Sequence, residues 1–168
     1  MDYPIDKRIS VLSSFWMGTI ANEAQEWNIS KQHIMTFLNG AKSFNDLPEE
    51  SNLTMGQYVQ GYNLLKLNDH KGALTNFRAA VDGIKKNTSR IQSDRIKVAV
   101  LGDAVLRAGD CHFKNKQYSD ALAYYNEAVN KKYEGFEYAL YQKAIIRGLQ
   151  GSQLDKVIAL ESLVERYP

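Results

Sequence analysis

The residues best equipped for catalysis are the neighbours Cys111-His112. A thiol beside an imidazole is the pair used in nucleophilic catalysis. Here the two are sequence neighbours in a helical stretch, where adjacent side chains point about 100° apart. They therefore cannot serve one substrate as nucleophile and base. His33 and His70 are isolated, no two ligands show metal spacing, and no phosphate-binding glycine loop is present. Glu49-Glu50 falls in a polar connector and is expected to be solvated. Lys85, Lys86, Arg90, Arg95 and Lys97 form a basic run of the kind that touches phosphates. Asp82 and Asp94 flank it and no stacking aromatics interleave, so it reads as a solvated connector and helix start. The Asn-X-Ser/Thr tripeptides at Asn28, Asn52 and Asn87 read as helix caps or chance matches. These observations argue against an enzyme, a metal site and nucleic-acid binding, and they call for no cofactor.

The totals agree. The chain has 168 residues, 44% hydrophobic and 24% charged, the balance of a protein that can bury a core. A net charge of +2 is too small to argue for nucleic acid or an anionic membrane. Cys111 is the single cysteine, so no internal disulfide can form. No apolar run approaches the roughly 20 residues of a spanning helix. The opening Met1-Asp2-Tyr3-Pro4-Ile5 lacks the layout of a signal peptide.

What would position any functional side chain is a series of eight helices. Residues 5–26 form the first, with Ile9, Leu12, Trp16 and Ile20 as its apolar stripe. The second is capped by Asn28 or Ser30, buries Ile34, Phe37 and Leu38, and stops near Asn39-Gly40. After a connector at 42–51 come helices at 52–67 and 70–85, with Asp69 as a cap. A capping box, Ser89 with Gln92, starts a long fifth helix reaching about residue 115, with Val98, Leu101, Val105, Ala108 and His112 along its stripe. Helices at 118–131, at 135–150 and from after Ser152 to before Pro168 complete the series, and no stretch alternates with period two.

The helices recur in pairs. Gly109, Ala121, Tyr125 and Ala128 are separated by twelve, four and three residues, as are Gly61, Ala73, Phe77 and Ala80. With the glycine at position 8, repeats cover approximately 11–41, 54–84, 102–131 and 137–168. Position 8 is then Gly18, Gly61, Gly109 and Ala144; position 20 is Ser30, Ala73, Ala121 and Lys156; position 24 is Ile34, Phe77, Tyr125 and Leu160. Two helices approach to about 8–10 Å only where small residues meet at the crossing, which explains positions 8 and 20. The pattern resembles the tetratricopeptide repeat, a helix–turn–helix unit. The middle repeats match well and the outer two are degenerate.

The resemblance implies an all-α, right-handed solenoid of about four hairpins forming a single repeat domain. It also implies a non-enzymatic scaffold for protein–protein interaction. In the family, positions 2, 5, 9, 12 and 13 of each first helix line a concave groove for a peptide or helix. Here these include Phe15, Tyr58, Tyr62, Leu65, Leu106, Asp110, Phe113, Lys114, Tyr138, Tyr141 and Ile145. His112 takes the place of a packed aromatic. The family subtype that clamps a C-terminal carboxylate carries lysine at position 5 and asparagine at position 9. Tyr58 and Tyr62, then Leu106 and Asp110, argue against that clamp. Tyr3-Pro4 and Tyr167-Pro168 look like repeat endings, and neither end carries a polar capping helix. The expected setting is a segment of a longer array, similar to bacterial envelope-associated repeat proteins. The alternative role is that of an architectural spacer, or of a segment that self-associates through its uncapped ends.

Overall fold

The structure, a computed structural model, describes residues 6–167. Tyr3-Pro4 and Pro168 lie outside the described residues. Among those residues the chain is all-α, with no strand. Its helices are α1 (Lys7–Glu23), α2 (Trp27–Ala41), α3 (Leu53–Lys66), α4 (His70–Asn87), α5 (Leu101–Lys114), α6 (Tyr118–Lys131), α7 (Phe136–Leu149) and α8 (Gln153–Arg166). Each odd-numbered helix packs against the helix that follows it, giving four hairpins. The chain divides into two compact units, one ending at Ser93 and one starting at Asp94. The first holds α1 to α4, with α2 also packed on α3; the second holds α5 to α8, with α6 packed on α7.

Each hairpin closes through the same turn. Gln25, Asn68, Lys116 and Gly151 all have positive φ, and all stand at position 15 of their repeats. The next residue's N–H then bonds back to the carbonyl five residues earlier: Glu26 to Ala21, Asp69 to Leu64, Gln117 to His112 and Ser152 to Arg147. This caps the last carbonyls of the first helix. The turn is thus shared by all four hairpins, including the two whose sequences are degenerate. Asp69 caps α4 as expected, its Oδ1 accepting the Gly72 N–H at 2.9 Å. Asn52, one of the Asn-X-Ser/Thr positions, caps α3 by accepting from Met55 N–H.

The cores follow the small-residue crossings. A Cβ on Gly61 would lie 2.8 Å from Phe77 Cδ1, and one on Gly18 would lie 2.5 Å from Ile34 Cδ1. Ser30 replaces the small apolar residue at the first crossing, and its hydroxyl donates to the Gly18 carbonyl at 2.7 Å. A buried hydroxyl with a partner avoids the penalty of an unsatisfied polar group. In the last hairpin the Lys156 stem lies over Gly148, one helical turn beyond Ala144.

Four helix expectations need correction. α1 buries Val11, Phe15, Gly18 and Ala21, while Ile9 (59%), Trp16 (52%) and Ile20 (65%) stay exposed. Apolar residues occur almost all round this helix, so periodicity cannot choose a face. The close approach of α2 chooses it, because only Gly18 fits opposite Ile34. α2 starts at Trp27 with no side-chain cap from Asn28 or Ser30. The Ser89–Gln92 capping box does not start a helix: α4 runs on to Asn87 and residues 91–93 are a non-helical connector. Instead the helical run resumes at Asp94 and passes through a π-helical turn, Ile96–Val100, before α5. Bonding i to i+5 rotates each residue by less than in an α-helix. Ile96 and Val100 therefore face inward while Val98 is exposed.

Glu49-Glu50 is also not simply solvated. It lies in a 3₁₀ turn, Glu49–Ser51. The Glu49 carboxylate accepts the Gln92 and Ser93 N–H groups at 2.8 and 3.0 Å, and Glu50 accepts the Ser93 hydroxyl. The acid pair therefore ties one connector to the other. A buried amide ladder joins the first two hairpins. Asn22 Nδ2 donates to Asn63 Oδ1 at 2.9 Å, Asn63 Nδ2 donates to Gln60 Oε1, and Gln60 Nε2 donates to the Lys31 carbonyl.

Candidate peptide-binding face

The side chains proposed from family positions separate into three groups. Phe15 and Leu106 are core residues. The Phe15 ring packs 5.0 Å from that of Phe37, centroid to centroid. Tyr58, Tyr62 and Leu65 are half-buried on α3. One helical turn apart, the two tyrosine rings meet edge to face at 5.3 Å, and both lie against the buried Phe77. They form the rim of that hairpin's aromatic core and present only part of their surface.

The third group lies on α5 and α7 of the second unit and contains Asp110, Phe113, Lys114, Tyr138, Tyr141 and Ile145. Phe113 and Ile145 are half-buried and Lys114 is exposed. Tyr138 and Tyr141 are 37% and 44% exposed. At the centre Asp110 Oδ1 accepts hydrogen bonds from Tyr125 at 2.7 Å and Tyr138 at 2.8 Å. Its Oδ2 is ion-paired with Arg107, which also reaches Asp103 at 3.2 Å. The Arg107 guanidinium lies 5.5 Å from the Tyr138 ring centroid. Gln142 Nε2 donates to the Tyr138 hydroxyl at 2.8 Å. Three side chains thus hold the Tyr138 ring in place. Arg107 was absent from the family positions, but Asp103, Arg107 and Asp110 show the helical i,i+4 and i,i+3 ion-pair spacing.

Burial dominates the electrostatics. It raises the Asp110 carboxyl above its ordinary value, Arg107 and the two tyrosine hydroxyls oppose that rise, and Asp103 adds to it. Burial, with Asp110 adjacent, pushes Tyr138 up to about 12 and raises Tyr125 also. Cys111 is buried and pushed up to about 12, so it is a thiol at neutral pH. His112 is buried, stacks on Tyr124 at 5.3 Å, and has Nδ1 within 3.1 Å of Gln117 Oε1. The pair with the most reactive residue types is thus used for packing. What remains exposed on this face is Lys114 with the Tyr138 and Tyr141 rings, the Tyr138 ring seated on the polar network around Asp110.

Residues 103–133, which span α5 to α6, match the family model of the tetratricopeptide repeat. Two solved structures share the fold. The apo form of RapI superposes with a TM-score of 0.71 at 15% identity, covering 94% of this chain and 56% of its own. A Rap protein complexed with Competence and Sporulation Factor superposes with a TM-score of 0.63 at 14% identity, covering 97% and 44%. The chain therefore spans about half the length of the solved structures it matches. No curated protein matches it in sequence. Residues 103–133 are thus similar to a tetratricopeptide repeat, and the described chain shares the helical fold of those two solved structures.

Proposed function

We propose that this chain is a non-enzymatic protein–protein interaction scaffold whose first-helix faces bind a peptide or helical segment of a partner. The observation that carries this reading is the pair Tyr138 and Tyr141. Both rings are exposed, and Tyr138 is held by Asp110, Gln142 and Arg107 before any partner arrives. An aromatic anchor already fixed in its bound rotamer loses little entropy on association, and tyrosine is a favoured hot-spot residue. A Rap protein of similar fold has been solved in complex with Competence and Sporulation Factor, which supports a ligand-binding role. Tyr141 is the cleaner site to test than Tyr58 or Tyr62, which are packed on Phe77. Peptides selected from a displayed random library on the wild-type chain should bind Tyr141→Ala at least tenfold more weakly, with the thermal melt unchanged. Equal binding by the variant would remove this reading.

A second role, self-association within a repeat array, is favoured by the apolar surface at α1 and α8. Ile9, Trp16 and Ile20 on the first, and Leu154, Ile158 and Val164 on the second, are exposed. Sedimentation that shifts with concentration, and is abolished by Trp16→Glu, would support it. A concentration-independent monomer would exclude it.

A further inference from the structure

A cleft of about 160 Å³ opens between α7 and α8. Lys143, Arg147, Ser162 and Arg166 line it, with Leu140 and Leu163 among its apolar walls, and no acidic side chain contributes to the lining. None of the three cations forms an ion pair among the described residues. Like charges gathered without a counter-charge repel one another. Burial first, then the Arg147 charge, lowers the Lys143 pKa below the ordinary lysine value. Lys143 is half-buried in the cleft, while Arg147 and Arg166 are exposed at its mouth.

The cations also break the pattern of the fold. Lys143 and Arg147 stand at positions 7 and 11, where α5 has the buried Ala108 and His112. They follow Tyr141 and Ile145 by two residues each, about 200° around the helix. The cleft is therefore on the side of α7 away from the aromatic face and does not belong to the peptide site proposed above. Its volume is below the roughly 300–1,000 Å³ of sites for drug-sized ligands. One compact charged group fits it better. Two guanidinium groups supply the planar donor forks that match carboxylate and phosphate oxygens, Lys143 supplies a point charge, and Ser162 supplies a hydroxyl.

We propose that the α7–α8 cleft is a binding site for an oxyanion, a carboxylate or phosphate group, held by Lys143, Arg147 and Arg166. The test is titration of the full chain, labelled at lysine and arginine side chains, with inorganic phosphate and separately with malonate. Sodium chloride serves as the control at matched ionic strength. The expected result is saturable shifts confined to these three side chains, together with a rise in the Lys143 pKa as the anion supplies the missing charge. Phosphate binding tighter than malonate would identify a phosphate ligand; the reverse order would identify a carboxylate. Lys143→Gln and Arg147→Gln should each weaken binding at least tenfold, with circular dichroism reporting whether they fold. Arg166→Gln, near the end of α8, provides an independent variant expected to weaken binding severalfold. Shifts that chloride reproduces, or affinity unchanged in the folded variants, would overturn the proposal.

Discussion

The Tyr125 hydroxyl, on α6, donates a 2.7 Å hydrogen bond to Asp110 Oδ1 on α5. This bond links the residue that fills the third hairpin's crossing to the carboxylate that orients Tyr138. Core packing and the exposed aromatic face are thus mechanically connected. Tyr125→Phe keeps the ring and removes the link. It should destabilise the chain by about 1.5–3 kcal/mol, the usual value for a hydrogen bond to a charged group. It should also raise the Asp110 pKa further, because that bond favours the charged form. Urea melts and carboxyl NMR titration measure the two effects.

Asp110 also sets a pH dependence. Its folded-state pKa lies above the ordinary value of 3.8. The folded state therefore binds the proton more tightly than the unfolded state. The stabilisation from this group is fully present below 3.8 and is lost as pH rises through the folded pKa. Asp110→Asn removes that titration. The stability of wild type relative to the variant should fall as pH rises from 3.5 to 7, measured by urea melts at each pH. A constant difference, or an Asp110 carboxyl titrating at or below 3.8, would contradict the burial argument.

Two glycines should respond differently to alanine. A Cβ at Gly109 would lie 2.8 Å from Tyr125 Cε1, on a ring fixed at its far end by Asp110. Gly109→Ala should cost about 1–3 kcal/mol through overpacking. A Cβ at Gly148 would meet Lys156 Cδ at 2.5 Å, on a flexible side chain that can move away. There the gain in helix propensity, about 1 kcal/mol, should leave Gly148→Ala neutral or more stable in the same denaturation assay.

Lys116 occupies the left-handed region, at φ 61°. A side chain there costs about 1–2 kcal/mol, a strain that glycine avoids. Glycine loses more backbone entropy on folding, so Lys116→Gly should stabilise by a net of about 1 kcal/mol or less. The gain should be smaller at Asn68, because asparagine already tolerates this conformation. Thermal melts of the two variants, compared side by side, test the order.

Asn63 is fully buried in the amide ladder between the first two hairpins. Asn63→Ala leaves the Asn22 and Gln60 amides without their partner, at about 1–3 kcal/mol for each group that cannot reach water. Hydrogen exchange should quicken in α1 and α2 more than in α5 to α8, which lie in the other compact unit.

Composition and spacing determined that this chain is all-α and built of helical hairpins. Gly61, Ala73, Phe77 and Ala80, and their counterparts from Gly109, could be read directly because a close helix crossing tolerates few residue types. The start of α4 was legible for a local reason too, since Asp69 caps its own helix by accepting the Gly72 N–H. Tertiary structure decided the rest. It turned α1 so that Gly18 faces α2 and left Ile9, Trp16 and Ile20 exposed, because one helix carried more apolar residues than one partner could cover. It imposed positive φ on Gln25 and Lys116, whose side chains do not announce a left-handed turn, because closing the hairpin requires one there. It placed Glu49 and Glu50 against a connector some forty residues later, and it gathered Lys143, Arg147 and Arg166 from two helices into one cleft. Such contacts depend on where distant backbone comes to lie, which no local spacing encodes.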